Sequence, residues 1–464
     1  MRLKGTTNVN ADSLHLKSLG ARIRSEANDL KRTPEALASE LNLSAGLVEA
    51  VMAGKADLGT AQNLLRAMAD NYPISLADIW VDADDTDQGV RLMTAAMSRK
   101  SSRVFKRPDK DGALTEYYEY RDTAMSRGAP FKPEWILELR SVEDANPYNP
   151  DIAYNNGHFM HQTTFFIGPV NFYWETGGKR YCAEMNTGDS NYITPFVPHS
   201  FASRDPNQPG LIIAVTFSGL VGRALRDFIA IGADAINCAA GDLRAADLFH
   251  HRLARHCKAE SMSIQSLRMD ACENGIGIDR AREIIEGAAI PNLREIEILA
   301  TVLAVRPSDL MVFPLEQQNE VIVKRFRRDA GRAFPDDNSP AYRMTQLARS
   351  QHQPYMKGFE IAVLGGGGDS AFFEHCLHQY VYNYGVEPVD LIWEPERSAT
   401  LQPGDSAYIR PLIRHRFDIT KNTGEGRLVA IRVPGQLTDQ VLDEYAGFAT
   451  TGRNRVVAET RRWF

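Results

Sequence analysis

TGDSNYITPFVPHSF, residues 187–201, is the stretch on which the fold of this chain turns. A Gly-Asp turn (Gly188-Asp189) opens it, and an alternating run carries it to His199. Side chains alternate across a strand with period two, so the run reads as a strand that delivers the histidine to one face. The stretch recurs as PGDSAYIRPLIRHRF at 403–417, and HFMHQ at 158–162 recurs as HCLHQ at 375–379. Each copy follows a helical region, and the two helical regions also resemble each other. The order is therefore helical unit, β unit, helical unit, β unit: an α+β chain built by tandem repetition.

Working outward, residues 13–82 read as helices. Thr33 is a candidate N-cap, with Pro34 at the first helical position and Glu35 in the first turn. Residues 100–219 alternate with Gly-, Pro- and Asn-rich turns, as in a small β-barrel or sandwich. Residues 220–260 read as a helical link, 261–313 as the second helical unit and 320–438 as the second β unit. A GGGGD turn falls at 365–369, and 439–464 reads as a helix with a polar, basic end.

Composition narrows the function classes. The 464 residues are 43% hydrophobic and 24% charged, with a net charge of −6, which argues against a general nucleic-acid binder. No apolar run has the length of a membrane span, and the first residues lack the apolar core of a signal peptide. Five scattered cysteines without paired spacing suit reduced thiols, so a cytoplasmic protein is expected.

His158, Gln162 and His199 form the pattern with chemical content. The even step from His158 to Gln162 places both on one face if both lie on a strand. Two imidazoles and an amide oxygen could hold one metal and leave positions open, much as a two-histidine, one-carboxylate iron site does. Here a glutamine stands where the carboxylate is usual. His161 falls on the opposite face. His375, Gln379 and His415 repeat the spacing in the second copy, so a second metal site is chemically possible; but Phe372 occupies the position of Asn155 and Arg414 and Arg416 flank the last histidine, and the set reads as a non-catalytic relic.

The short helix, turn, short helix pattern resembles λ-repressor-like helix-turn-helix domains. The GDS turn, strand and histidine are similar to the second motif of the cupin (double-stranded β-helix) barrel. Together with the His158, Gln162 and His199 pattern, they resemble the phosphonate-active non-haem iron enzymes: hydroxypropylphosphonate epoxidase, hydroxyethylphosphonate dioxygenase and methylphosphonate synthase. The His-x-x-x-Gln spacing is nearest to the last, because the dioxygenase's Glu position is Ile193 here. The resemblance implies Fe(II) as cofactor and 2-hydroxyethylphosphonate and O2 as substrates. It also implies substrate-binding roles for Asn155, Tyr118, Tyr120, Thr216 and Arg107, with Arg103 as the alternative to Arg107. Lys31 would reach the site from the helical unit, from its own chain or a neighbour in a homo-oligomer. Lys31 and Tyr120 would act in catalysis.

Two other readings carry distinct expectations. The dioxygenase reaction would yield hydroxymethylphosphonate and formate. A cupin-type regulator would bind DNA, but the candidate reading helix SAGLVEAVMAGK offers only Lys55, and Arg280 and Arg282 of the second copy stand among acidic neighbours.

Overall fold

A strand with one apolar face is stable only where a partner of matching register covers its edge, and here that pairing crosses the two repeats. The computed structural model describes residues 9–239, 245–312, 320–351, 353–366, 368–394, 396–419 and 424–463. It is a mixed helix-and-sheet protein. Among the described residues, one seven-stranded antiparallel sheet runs in the order Val321–Lys324, Ser190–Ile193, His161–Ile167, Leu211–Phe217, Phe131–Glu138, Leu114–Asp122 and Arg103–Pro108. The second runs Val90–Met93, Ser406–Ile409, His378–Asn383, Gly426–Val433, Lys357–Val363, Tyr342–Gln346 and Arg332–Phe334. A three-stranded sheet accompanies each; His199 pairs with Trp174 in one, and His415 with Trp393 in the other.

Each large sheet takes its edge strand from the lead-in to the other repeat. Val321 pairs with Ile193, and Val90 pairs with Ile409. The Gly-Asp turns lock this exchange: Asp189 Oδ1 accepts the Phe326 N–H, and Asp405 Oδ1 accepts the Ala95 N–H, each at 2.7 Å. The β unit expected at 320–438 therefore gives its first strand to the N-terminal sheet. A shared core seals the halves, with Phe165, Ile213 and Val215 from one packing with Tyr380, Val429 and Ile431 from the other.

The helical groups form where capping residues meet amphipathic runs. Thr33 accepts the Ala36 N–H at 3.2 Å, and Ser263 accepts the Ser266 N–H at 3.0 Å. Each such cap stabilises its helix by about 1 kcal/mol. The helix Ala245–Ala259 buries Phe249, Leu253 and Cys257 against Leu267, Ala271 and Leu299. It belongs to the second helical group, which a start at residue 261 leaves short. The tail holds two short helices, Asp439–Ala446 and Thr450–Val457, and then crosses to the first helix. There Asn28 Nδ2 donates to the Arg461 carbonyl at 2.9 Å, and Asn28 Oδ1 accepts the Trp463 N–H at 3.0 Å. In the GGGGD run, Gly365 and Gly366 take φ of 80° and 82°, and Gly367 lies outside the described residues. No helix among the described residues is long and apolar enough to cross a membrane.

Candidate active site

The first seven-stranded sheet, its three-stranded companion and the loop before His161 close round a small cavity of about 90 Å³, lined by Arg107, Tyr118, Tyr120, Glu134, Ile136, Asn155, His158, Gln162, His199, Phe201 and Thr216. Gln162 and Thr216 face each other in register on neighbouring strands. His199 is the first residue of the strand His199–Ser203. His158 is not on a strand, as the even spacing implies; it stands in the loop ahead of His161–Ile167. Gly157 allows that loop to approach: with φ at 71°, a Cβ there would meet the Phe196 backbone at 2.4 Å.

Hydrogen bonding fixes what each ligand candidate presents. His158 Nδ1 lies 2.9 Å from the Met160 carbonyl, and His199 Nδ1 lies 2.8 Å from the Val197 carbonyl. A carbonyl only accepts, so each Nδ1 carries a proton and each ring turns Nε2 to the cavity as the nitrogen that can hold a metal. Burial holds His199 neutral by lowering its pKa to about 4. Gln162 Nε2 donates to Thr164 Oγ1 at 2.9 Å, which turns its Oε1 towards His158 Nε2, 3.0 Å away. When the His158 ring is neutral, two lone pairs face each other at contact distance, an arrangement that a cation between or beside them relieves. Among the described residues no three His, Cys, Asp or Glu side chains gather as a metal site, so the donor set is two imidazoles and an amide oxygen. Imidazole and oxygen donors with open positions fit a divalent transition metal such as iron.

Asn155 braces the last histidine. Its Oδ1 accepts the N–H groups of Gly157 at 2.9 Å and His199 at 3.0 Å, which points Nδ2 at His199 Nε2, 3.1 Å away. Tyr118 is a wall and a strut: its hydroxyl accepts the Phe201 N–H at 3.0 Å and meets Ser200 Oγ at 3.1 Å. Tyr120 makes no such bond among the described residues, and burial and Glu134 both raise its pKa. Arg107 reaches the cavity, whereas Arg103 pairs with Asp122 at 2.8 Å and does not line it.

Lys31 does not line the cavity either. It ends the turn after the first helix with φ at 60°, donates to the Asp29 carbonyl at 2.9 Å and lies 3.7 Å from the centre of the Trp463 ring. The C-terminal crossing thus occupies the ammonium. Glu134, Ile136 and Phe201 are wall residues that the sequence did not mark. The signal for Glu134 was its even step from Ile136, masked by Pro133, since a proline within a run argues against a strand. Burial raises the Glu134 carboxyl pKa, partly opposed by Arg103, His158 and Lys132.

A sheet-lined pocket with two tethered imidazoles, one amide oxygen, a guanidinium and a free phenol defines a class: a mononuclear-metal enzyme site for a small anionic substrate. No family model matches the chain. The chain is 36% identical to methylphosphonate synthase of Nitrosopumilus maritimus over 446 residues, 94% of this chain and 93% of that protein. It belongs to the methylphosphonate synthase family. Its fold matches hydroxyethylphosphonate dioxygenase of Streptomyces albus, solved with 2-hydroxyethylphosphonate and Fe(II) bound. That match has a TM-score of 0.86 and 32% identity, and covers 98% of this chain and all of the other. A second hydroxyethylphosphonate dioxygenase structure, of a point mutant, has a TM-score of 0.72 at 18% identity over 95% and 99% of the two chains, and shows the fold alone.

Proposed function

We propose that this chain converts 2-hydroxyethylphosphonate and O2 to methylphosphonate and bicarbonate at an Fe(II) centre held by His158, Gln162 and His199. The observation that carries the reading is the amide donor: the contact to Thr164 presents Gln162 Oε1 beside His158 Nε2. The similarity to methylphosphonate synthase over 94% of the chain supports it. The metal supplies a centre at which substrate and O2 react. The protein's own groups bind and orient. Arg107 offers charge-assisted hydrogen bonds to the phosphonate, bidentate where both oxygens are in reach. Asn155 Nδ2 and the Tyr120 hydroxyl add neutral donors, and Thr216, whose hydroxyl donates to the Lys132 carbonyl at 3.3 Å, lines the pocket beside Gln162. Tyr118 fixes the wall behind them.

We read the two sheet pairs as cupin barrels and the two helical groups as helix-turn-helix-like units, by their order and by the repeated Gly-Asp turns. The unpaired cysteines agree with a cytoplasmic protein. A lid role for Lys31 would require a second copy of the chain, since its own cavity lies elsewhere. DNA reading has little support: Arg280 pairs with Glu295 at 2.8 Å and Arg282 with Asp279 at 3.1 Å. The deciding experiment is aerobic turnover of the Fe(II)-loaded chain with 2-hydroxyethylphosphonate, followed by phosphorus NMR. Methylphosphonate is the expected product. Hydroxymethylphosphonate with formate would overturn the reading in favour of the dioxygenase reaction.

A further inference from the structure

The second repeat keeps a full copy of the donor set and fills it with an internal cation. His375 Nδ1 lies 3.1 Å from the Leu377 carbonyl, and His415 Nδ1 lies 2.7 Å from the Ile413 carbonyl. Both Nε2 atoms therefore turn inward, as at His158 and His199; His415 offers a lone pair there, while His375 Nδ1 also meets the Leu377 N–H at 3.3 Å. His375 Nε2 is 3.2 Å from Gln379 Oε1, matching the 3.0 Å between His158 and Gln162. Tyr342 takes the part of Tyr118, its hydroxyl accepting the Phe417 N–H at 2.9 Å. The geometry of a metal site has survived the duplication.

Three residues differ, and each bears on the metal position. Gln379 pairs in register with Arg432, where Gln162 pairs with Thr216. Arg432 Nε donates to Gln379 Oε1 at 2.6 Å, so a guanidinium proton meets the oxygen that would bind metal. Val381 stands two residues past Gln379, as Thr164 stands past Gln162, and it cannot accept the amide N–H. Gln379 Nε2 points instead to His415 Nε2, 2.9 Å away. The counterpart of Asn155 is Phe373 and not Phe372, since Phe373 exchanges backbone bonds with His415 at 2.6 and 3.0 Å. The guanidinium carbon of Arg432 lies 5.0 Å from the centre of that ring and 5.3 Å from the centre of Phe359. Gln379 and His415 are fully buried, at 0% exposure. A planar cation that donates to oxygen and lies against aromatic rings suits such a pocket.

We propose that Arg432 stands in for a metal ion, and that His375, Gln379 and His415 form a latent divalent-metal site which opens when the guanidinium is removed. The inference rests on reading the first donor set as a metal site. A fixed positive charge against the ligands repels a divalent ion and blocks the approach to Gln379 Oε1. The metal position is thereby occupied by Arg432, whose Nε is satisfied by Gln379 while its Nη2 stays buried without a partner among the described residues, and the chain binds a single ion at the first repeat.

The test is Co(II) stoichiometry on the full-length chain, by elemental analysis after removal of free metal and by the visible spectrum of the bound ion. The natural protein should hold one Co(II) per chain, lost in His199→Ala and unchanged in His415→Ala. Arg432→Thr, which installs the residue of the first repeat, should hold two, and Arg432→Thr with His415→Ala should return to one. Two ions in the natural protein, one of them lost in His415→Ala, would overturn the inference. A folded Arg432→Thr that stays at one would also overturn it. Should the threonine variant fail to fold, Arg432→Met keeps the side-chain volume and carries the same comparison. Retention of metal in His199→Ala would count against the first site alone, because the difference between the natural protein and the Arg432 variants reads the second site independently.

Discussion

Thr164 Oγ1 accepts the amide N–H of Gln162 at 2.9 Å, and this contact decides which end of the amide faces His158. Without it the ion alone would have to select the amide oxygen over the nitrogen. The second repeat shows the alternative: Val381 offers no acceptor, and the Gln379 nitrogen turns to His415 instead. Partners of metal ligands commonly matter by tenfold to a hundredfold in affinity. Thr164→Val should therefore weaken Fe(II) binding by about tenfold or more, while Thr164→Ser, which keeps the acceptor, should bind nearly as the parent does. Anaerobic Fe(II) titration checks this. Equal affinity in the valine variant would mean the amide is oriented by something else.

Arg107 is the guanidinium that lines the cavity, and Arg103 is held by Asp122 outside it. Losing one charge-assisted contact costs about 1.5–3 kcal/mol, or roughly tenfold to a hundredfold in affinity. Arg107→Ala should raise the KM for 2-hydroxyethylphosphonate by that order with iron content intact, and Arg103→Ala should leave KM nearly unchanged. The reverse ranking would move the phosphonate to the other arginine.

Much of the architecture was legible because repetition leaves a readable trace. Both Gly-Asp turns, both His-x-x-x-Gln segments and the helical cap at Thr33 are local features, whereas the matching cap at Ser263 emerges only in the structure. What escaped depends on long-range choices. Nothing within VIVK at 321–324 says that it will pair with Ser190–Ile193 rather than with its own repeat. The route of Lys31 is set by a tail that returns from residue 461 onward. The loop before His375 is a residue shorter than the loop before His158, so counting back placed Phe372 where the backbone places Phe373. The roles of Thr216 and Arg432 as register partners of the two glutamines required the strand pairing itself.

Acid should unfold the metal-free protein through its buried histidines. Burial lowers the pKa of His199, His375 and His378 to about 4 each, and that of His415 to about 3, against an ordinary value near 6.5. A depressed folded-state pKa means that the unfolded chain binds the proton first. The stability these neutral rings provide is complete above about pH 6.5 and is lost as pH falls towards 4 and below. The Tm of the metal-free chain should fall steadily across that window, and His378→Gln should flatten part of the slope. Buried Glu138 and Glu360, whose pKa values burial raises, work in the opposite direction, so the check is the difference: a His378→Gln variant whose Tm falls as steeply as the parent's would contradict the part given to that ring.

Glu134 poses the sharpest question, since a carboxyl lines a cavity that is to take an anion. Its pKa is raised by burial, and it makes no hydrogen bond or ion pair among the described residues. Once ionised, it would oppose the phosphonate and offset the charge of Arg107. Glu134→Gln keeps the volume and a hydrogen-bonding end but removes the charge. If the carboxyl only shapes the electrostatics, this variant should bind 2-hydroxyethylphosphonate several-fold more tightly wherever the parent carboxyl is ionised, turn over at the parent rate and hold the same iron. At lower pH, where the carboxyl is protonated in the parent, the two proteins should converge. Measuring KM and kcat across pH separates the cases, because an electrostatic role moves KM alone and only above the pH at which the carboxyl ionises. A kcat loss of about a hundredfold, within the usual range for a missing acid or base, would instead assign Glu134 a proton-handling part in turnover.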